Sequence, residues 1–142
     1  MGTKVVFVCV DNDNGMMFNN RRCSSDITVT QRILDWVKER NKTLCMEAYS
    51  KPLFDKIPDH GVPIKIFDTA RELVNSDEEI LFVERNDCFD VYPHTLIMFR
   101  WNRSYPSDTK FCMDLQDSFL MVESEEFFGV SHDNITKEVY VL

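Results

Sequence analysis

Near its start the chain reads Lys4-Val5-Val6-Phe7-Val8-Cys9-Val10, followed at once by Asp11-Asn12-Asp13-Asn14. Six consecutive apolar residues with no polar alternation are the pattern of a strand buried on both faces, as in a parallel sheet covered by helices. The run falls well short of the ~20 apolar residues that span a bilayer. It also has neither the length nor the cleavage site of a signal peptide. A first strand is therefore expected over residues 4–10, and after it a polar loop over residues 11–25 that contains Gly15. Thr28 with Gln31 three residues on fits a capping box. It predicts a helix over residues 28–40 that buries Ile33, Leu34 and Val37, with Trp36 at its edge.

The same alternation continues. Strands are expected over residues 43–49, 63–67 and 79–83, with a short helical turn over 51–57. A helix over 69–75 should turn Ala70, Leu73 and Val74 inward. After Val83 the pattern becomes strand-rich, with strands over 95–101, 110–115, 119–124 and 136–141. Strands alternating with helices and then strands alone predict one α/β domain over residues 1–142. Its central sheet should be mostly parallel, finished by antiparallel strands, with flanking helices. The strands over 4–10 and 79–83 should lie side by side, with the first helix packed on one face.

The 142 residues suit one domain. Hydrophobic residues make up 44% and include 11 Phe, which is enough for a packed core and argues against disorder. The net charge of -8 disfavours nucleic acid and anionic membranes as partners, except where basic residues cluster, at Arg21-Arg22 and at Arg100 and Arg103. The five cysteines are Cys9, Cys23, Cys45, Cys88 and Cys112. An odd count without paired spacing indicates reduced thiols and a cytoplasmic location. Without a C-x-x-C pair no zinc site is expected, and Cys9, Cys45 and Cys112 read as small apolar residues in strands.

In the order of its elements the sequence resembles the dihydrofolate reductase fold. The first strand, Gly15-Met16, a long loop and Asp26 before a helix are similar to that family's opening. Asp108-Thr109-Lys110-Phe111, Met113-Asp114-Leu115 and Phe119-Leu120-Met121-Val122-Glu123-Ser124-Glu125-Glu126 are similar to its penultimate strands. Lys137-Glu138-Val139-Tyr140 is similar to its last one. The resemblance covers most of the chain, with the middle compressed. It implies a loop that closes over substrate after the first strand, and an acid, here Asp26, that contacts a pteridine.

The departures concern the cofactor. The family places a Gly-Gly pair after the fourth parallel strand, where backbone approaches the pyrophosphate. Here the residues are Glu84-Arg85-Asn86, and the chain's four glycines, Gly2, Gly15, Gly61 and Gly129, include no adjacent pair. The family's Gly-Arg-x-Thr after the second strand is replaced by Glu47-Ala48-Tyr49-Ser50, and the Pro-Trp of the first loop by Arg21-Arg22. Carboxylates at Glu47 and Glu84 would repel a diphosphate, so no cofactor is assigned, and NADPH in its usual place is not expected.

The chain also resembles, more closely, a group of short bacterial proteins commonly labelled ribonuclease Z. The shared stretches are Met17-Phe18-Asn19-Asn20-Arg21-Arg22, Phe99-Arg100-Trp101-Asn102-Arg103-Ser104-Tyr105-Pro106, and residues 125–140. True ribonuclease Z enzymes bind two metals through a dense His-x-His-x-Asp-His cluster. This chain has only His60, His94 and His132, no two of them close in sequence. RNA cleavage is therefore the least favoured function, and no metal site is expected.

Several residues are candidates, each with an ordinary alternative. Asp26 is a catalytic acid beside a ligand, or an acid stabilised at a helix N-terminus. Arg21 and Arg22, with Asn19 beside them, bind an anionic group, or form exposed ion pairs. Arg100, Trp101, Asn102, Arg103 and Tyr105 end a strong strand, where open α/β sheets place binding groups. Alternation would put Arg100 and Asn102 on one face and Trp101 and Arg103 on the other. Alternatively, Trp101 packs under an arginine stem. His132, in a turn before the last strand, is a binding residue or a lone surface histidine. No Ser-His-Asp arrangement follows from spacing.

The expected function is that of a divergent dihydrofolate reductase-like protein binding a small pteridine- or nucleotide-like ligand, a reductase without the usual NADPH site. The ligand would sit between the loop over residues 19–26 and the end of the first strand, with Asp26 and Arg21 or Arg22 lining the cleft. The competing expectation is a non-catalytic ligand-binding or regulatory domain. The partner in either case is a small molecule, and the sequence leaves the oligomeric state open.

Overall fold

The computed structural model describes residues 4–85, 93–112, 115 and 119–142. The chain order begins β1 (Val5–Val10), β2 (Gly15–Phe18), β3 (Arg21–Arg22), α1 (Ile27–Glu39) and β4 (Leu44–Glu47). It continues with α2 (Lys51–Asp55), β5 (Ile64–Phe67), α3 (Ala70–Val74) and β6 (Ile80–Phe82). After Val83 come β7 (Thr95–Arg100), β8 (Thr109–Lys110), β9 (Leu120–Phe127) and β10 (Ile135–Val141).

Seven strands form the main sheet in the order β5-β4-β6-β1-β7-β10-β9. The first five run parallel, and β10 and β9 are antiparallel. The apolar run of β1 lies at the centre, paired with β6 on one side and β7 on the other. Its side chains serve two cores. Phe7 faces the α1 side with Val29, Ile33, Leu34 and Val37, while Val6, Val8 and Val10 face Leu73 and Val74 of α3. Full burial of each such aliphatic side chain contributes about 1.5–3 kcal/mol, which is why the helices stay on the sheet. Among the described residues, no helix is long and apolar enough to cross a membrane.

Four local expectations need correction. The helix N-cap is Asp26 and not Thr28: Asp26 is extended, and its carboxylate accepts from the Thr28 backbone N–H, already in the first turn. Gln31, freed from a capping role, donates to Asp35 instead. The loop over residues 11–25 contains two strands, and β3-β2-β8 form a small second sheet. Asn19 and Asn20, with φ of 51° and 61°, make the two-residue turn between β2 and β3. Asparagine tolerates that left-handed region, and two such residues suit a tight hairpin. Of the strand expected over 110–115, the described residues form only Thr109–Lys110. Cys112 is exposed and outside it, and Met113, Asp114, Asn86 and Cys88 lie outside the described residues.

The strand expected over 43–49 ends at Glu47, because Ala48–Ser50 turn in a 3₁₀ arc into α2. Pro52 sits in the first turn of α2, where a missing N–H costs nothing.

Candidate functional site

A cleft opens at the carboxyl ends of the central parallel strands, where such sheets place their ligands. Cys9 of β1, Phe82 and Glu84 at the end of β6, and Trp101 just past β7 line it from the sheet. Ser24, Ser25 and Asp26 approach α1, whose Val29, Thr30 and Ile33 form another wall. Leu53 of α2 completes it, and the empty space is about 260 Å³ including the mouth. Burial, with the Glu84 carboxylate nearby, raises the Cys9 thiol well above its ordinary pKa, so Cys9 is a neutral wall residue.

Asp26 is 4% exposed and its carboxylate is fully engaged. Oδ1 accepts from the backbone N–H of Thr28 (2.9 Å) and Val130 (3.1 Å). Oδ2 accepts from Ser131 N–H (2.8 Å), Ser131 Oγ (3.0 Å) and His132 Nδ1 (3.0 Å). Five donors meet about four lone-pair sites on a carboxylate. Burial acts to raise the pKa of Asp26, but these donors, Val130 and Thr28 foremost, outweigh it and hold the carboxyl well below its ordinary value. Gly129 makes the approach possible. A Cβ there would collide with the Asp26 carboxylate and with Ile135.

His132 is 3% exposed, and so is not a surface histidine. Asp26, ionised and acceptor-only, fixes the proton on Nδ1. Nε2 lies 2.9 Å from Ser24 Oγ and 3.3 Å from Tyr105 OH. The imidazole stacks on Trp101 at 4.6 Å between centroids and 23° between planes. This cluster joins four sequence-expected residues or their neighbours, from three distant segments.

Arg22 is held elsewhere. Nε donates to Glu84 Oε2 (2.7 Å) and Nη2 to Glu84 Oε1 (3.0 Å). Ser50 Oγ also donates to Oε1, at 2.7 Å. The guanidinium lies over the Tyr49 ring, as does that of Arg85, which pairs with Glu47. The two carboxylates expected to repel a diphosphate are thus both ion-paired, and Arg22 reaches the cleft only through Glu84.

The remaining candidates do other work. Arg100 pairs with Glu138 at 2.7 Å and donates to Asn14 Oδ1, tying β7 to β10 and the first turn. Asn102 adopts φ 58°, which breaks the expected alternation, and its amide donates to Asn134 and Thr136. Arg21 and Arg103 are exposed. The Asn19 N–H donates to Asp108.

Two residues of consequence went unnoticed in the sequence. Asp11 is buried; Oδ1 accepts from Asp13 and Gly15 N–H and Oδ2 from Tyr105 N–H, which fixes both loops above β1. The signal was its place two and four residues before Asp13 and Gly15, the spacing at which aspartate caps its own turn. Ser24 had no sequence signal, since its partner lies 108 positions away.

No protein-family model matches the sequence, and no curated protein matches it. Among solved structures, the dihydrofolate reductase from Enterococcus faecalis, complexed with NADP(H) and RAB-propyl, matches 99% of this chain and 97% of that one with a TM-score of 0.54. The fold is dihydrofolate reductase-like. At 11% identity the likeness is one of fold, and function has to be argued from the site. Within the dihydrofolate reductase-like frame, Asp26 begins the first helix as expected, and antiparallel strands close the sheet.

Proposed function

We propose that the protein binds a small flat heterocycle, of the pteridine or nucleobase kind, in the cleft at the ends of β1, β6 and β7. The observation that carries this reading is Glu84. It is 8% exposed, lines the cleft beside Cys9, Phe82 and Trp101, and accepts three hydrogen bonds, leaving one lone pair of Oε2 for an amino or ring N–H donor. Asp26, the acid expected from the resemblance, has no such vacancy. Val29, Ile33, Phe82 and Trp101 supply the apolar walls that a ring needs. Arg22 and Arg100 are committed to carboxylates, so the ligand is neutral or cationic.

Size sets a further limit. The enclosed space is about 20 Å³, room for about one water molecule, so a ring system enters only as the walls of the cleft part. At the end of β6 the buried Val83 and Glu84 side chains occupy the place where a pyrophosphate needs bare backbone. The residues present therefore do not fit NADPH there. Saturation of Asp26 also favours the second reading, a ligand-binding domain without reductase chemistry.

Thermal-shift screening with pterins, purines, folates and NADPH, followed by calorimetry, tests the proposal. An aminopterin or aminopurine should raise the melting temperature and bind Glu84→Gln at least about tenfold more weakly, the loss of one charge-assisted hydrogen bond. Equal binding by Glu84→Gln, or a shift with NADPH alone, would overturn it.

A further inference from the structure

The Asp26–His132–Ser24 chain goes beyond ligand binding. Asp26 Oδ2 accepts from His132 Nδ1 at 3.0 Å, and His132 Nε2 meets Ser24 Oγ at 2.9 Å. The order of atoms is carboxylate, imidazole, hydroxyl, the order that activates a serine for acyl transfer. A carboxylate that accepts from Nδ1 keeps the lone pair on Nε2, the atom that must take the hydroxyl proton. The ring is held in place: Trp101 stacks on one face, Asp26 engages Nδ1, and Ser24 engages Nε2. Tyr105 OH also lies 3.5 Å from Ser24 Oγ and donates to it. Ser24 is only half-buried and lines the cleft, whereas Asp26 and His132 behind it are almost fully buried. That is the distribution of exposure a nucleophile and its supports require.

We propose that Ser24 is a nucleophile activated by His132, with Asp26 as the positioning residue, and that the cleft accepts small uncharged or cationic esters. The charge preference follows from the Asp26 carboxylate behind Ser24 and from Arg22 being paired to Glu84. In the reaction, Ser24 Oγ bonds to the ester carbonyl carbon as its proton passes to His132 Nε2. The carbon–alkoxide bond then breaks, and the leaving alcohol takes the proton from His132. A water molecule repeats the sequence on the acyl-serine and releases the acid, restoring the hydroxyl. The step needs no oxidant, metal or cofactor, and it stands whether or not the cleft binds a heterocycle.

The test is covalent capture by an uncharged alkyl fluorophosphonate, in which the Oγ–phosphorus bond forms and fluoride leaves. Intact mass and peptide fragmentation should place one adduct on Ser24, and none in Ser24→Ala. The native protein should react about a hundredfold faster than the same protein in urea, in line with general-base assistance. His132→Gln, folded by circular dichroism, should lose that advantage. No adduct, an adduct on Ser25 or elsewhere, or equal rates for native and unfolded protein would overturn the proposal. The comparison with unfolded protein decides the matter even if His132→Gln fails to fold. Heterocycle binding is read separately, by calorimetry on the unlabelled native protein.

Discussion

Arg22 grips Glu84 with two prongs, Nε on Oε2 at 2.7 Å and Nη2 on Oε1 at 3.0 Å, across 62 residues of chain. The pair joins the β2-β3 hairpin to the end of β6, and Glu84 is the more deeply buried partner. Arginine suits this place because its planar fork matches a carboxylate while its face lies on Tyr49.

Arg22→Ala is therefore expected to lower stability by about 2–4 kcal/mol, because it leaves Glu84 buried without its counter-ion. Arg22→Ala with Glu84→Gln should cost less than the sum of the single changes, by roughly 1–2 kcal/mol. Urea denaturation of the four proteins in the cycle checks both statements. Strict additivity would mean that the pair contributes nothing.

Asp26→Asn should also destabilise, by about 2–4 kcal/mol, since the amide can still accept from Thr28 but turns a donor towards Ser131 and His132. For a chain of this size each kcal/mol lowers the melting temperature by roughly 3–5 °C. Calorimetric melting reads the difference. An unchanged melting temperature would show that the cap alone, and not the loop over residues 129–132, uses the carboxylate.

The acid limb of stability follows from the same group. Burial works to raise the pKa values of Asp26 and Asp11. Their hydrogen bonds prevail, and both end below the ordinary 3.8. The unfolded chain thus takes up protons before the folded one does. The contribution of these groups is complete above pH 3.8 and is lost as the pH falls below it. Urea midpoints should hold level from pH 7 to 5 and then drop through pH 3, and Asp26→Asn should flatten that drop.

Gly129→Ala tests the close approach. The added Cβ meets the Asp26 carboxylate and Ile135, both packed, so it should cost about 1–3 kcal/mol. Hydrogen exchange at the Val130 and Ser131 amides should speed up, as they lose their acceptor. Protection equal to wild type would refute the crowding.

The sheet was legible because its evidence is local. The uniform apolar run of residues 5–10 marks a central parallel strand, and the period of Ile33, Leu34 and Val37 marks the buried face of α1. The hairpin within residues 15–22 was missed because Asn19-Asn20 reads as loop composition, although paired left-handed asparagines are what its turn uses. The site was legible only as a list of residue types. Asp26, Trp101, Tyr105 and His132 were all named, but their assembly depends on contacts between segments far apart in the chain. For Arg22 and Arg100 the choice between an anionic ligand and an ion pair was not legible, because their carboxylate partners, Glu84 and Glu138, lie 62 and 38 residues away.

The bonds from Asp26 to Val130, Ser131 and His132 each close a loop of more than a hundred residues. Loop closure costs entropy before any contact rewards it, and contacts of such separation form late. During folding, α1 can acquire its cap and its apolar face from nearby chain, but the support behind Asp26 and Ser24 must wait for the β9-β10 hairpin to dock. The first helix is a local decision, whereas β1 meets Ile80 and Thr95 only across most of the chain, and the reactive corner at Ser24 exists only once the whole chain has arrived. A slow final phase, visible as late burial of Trp101 against His132, is the kinetic signature of that order.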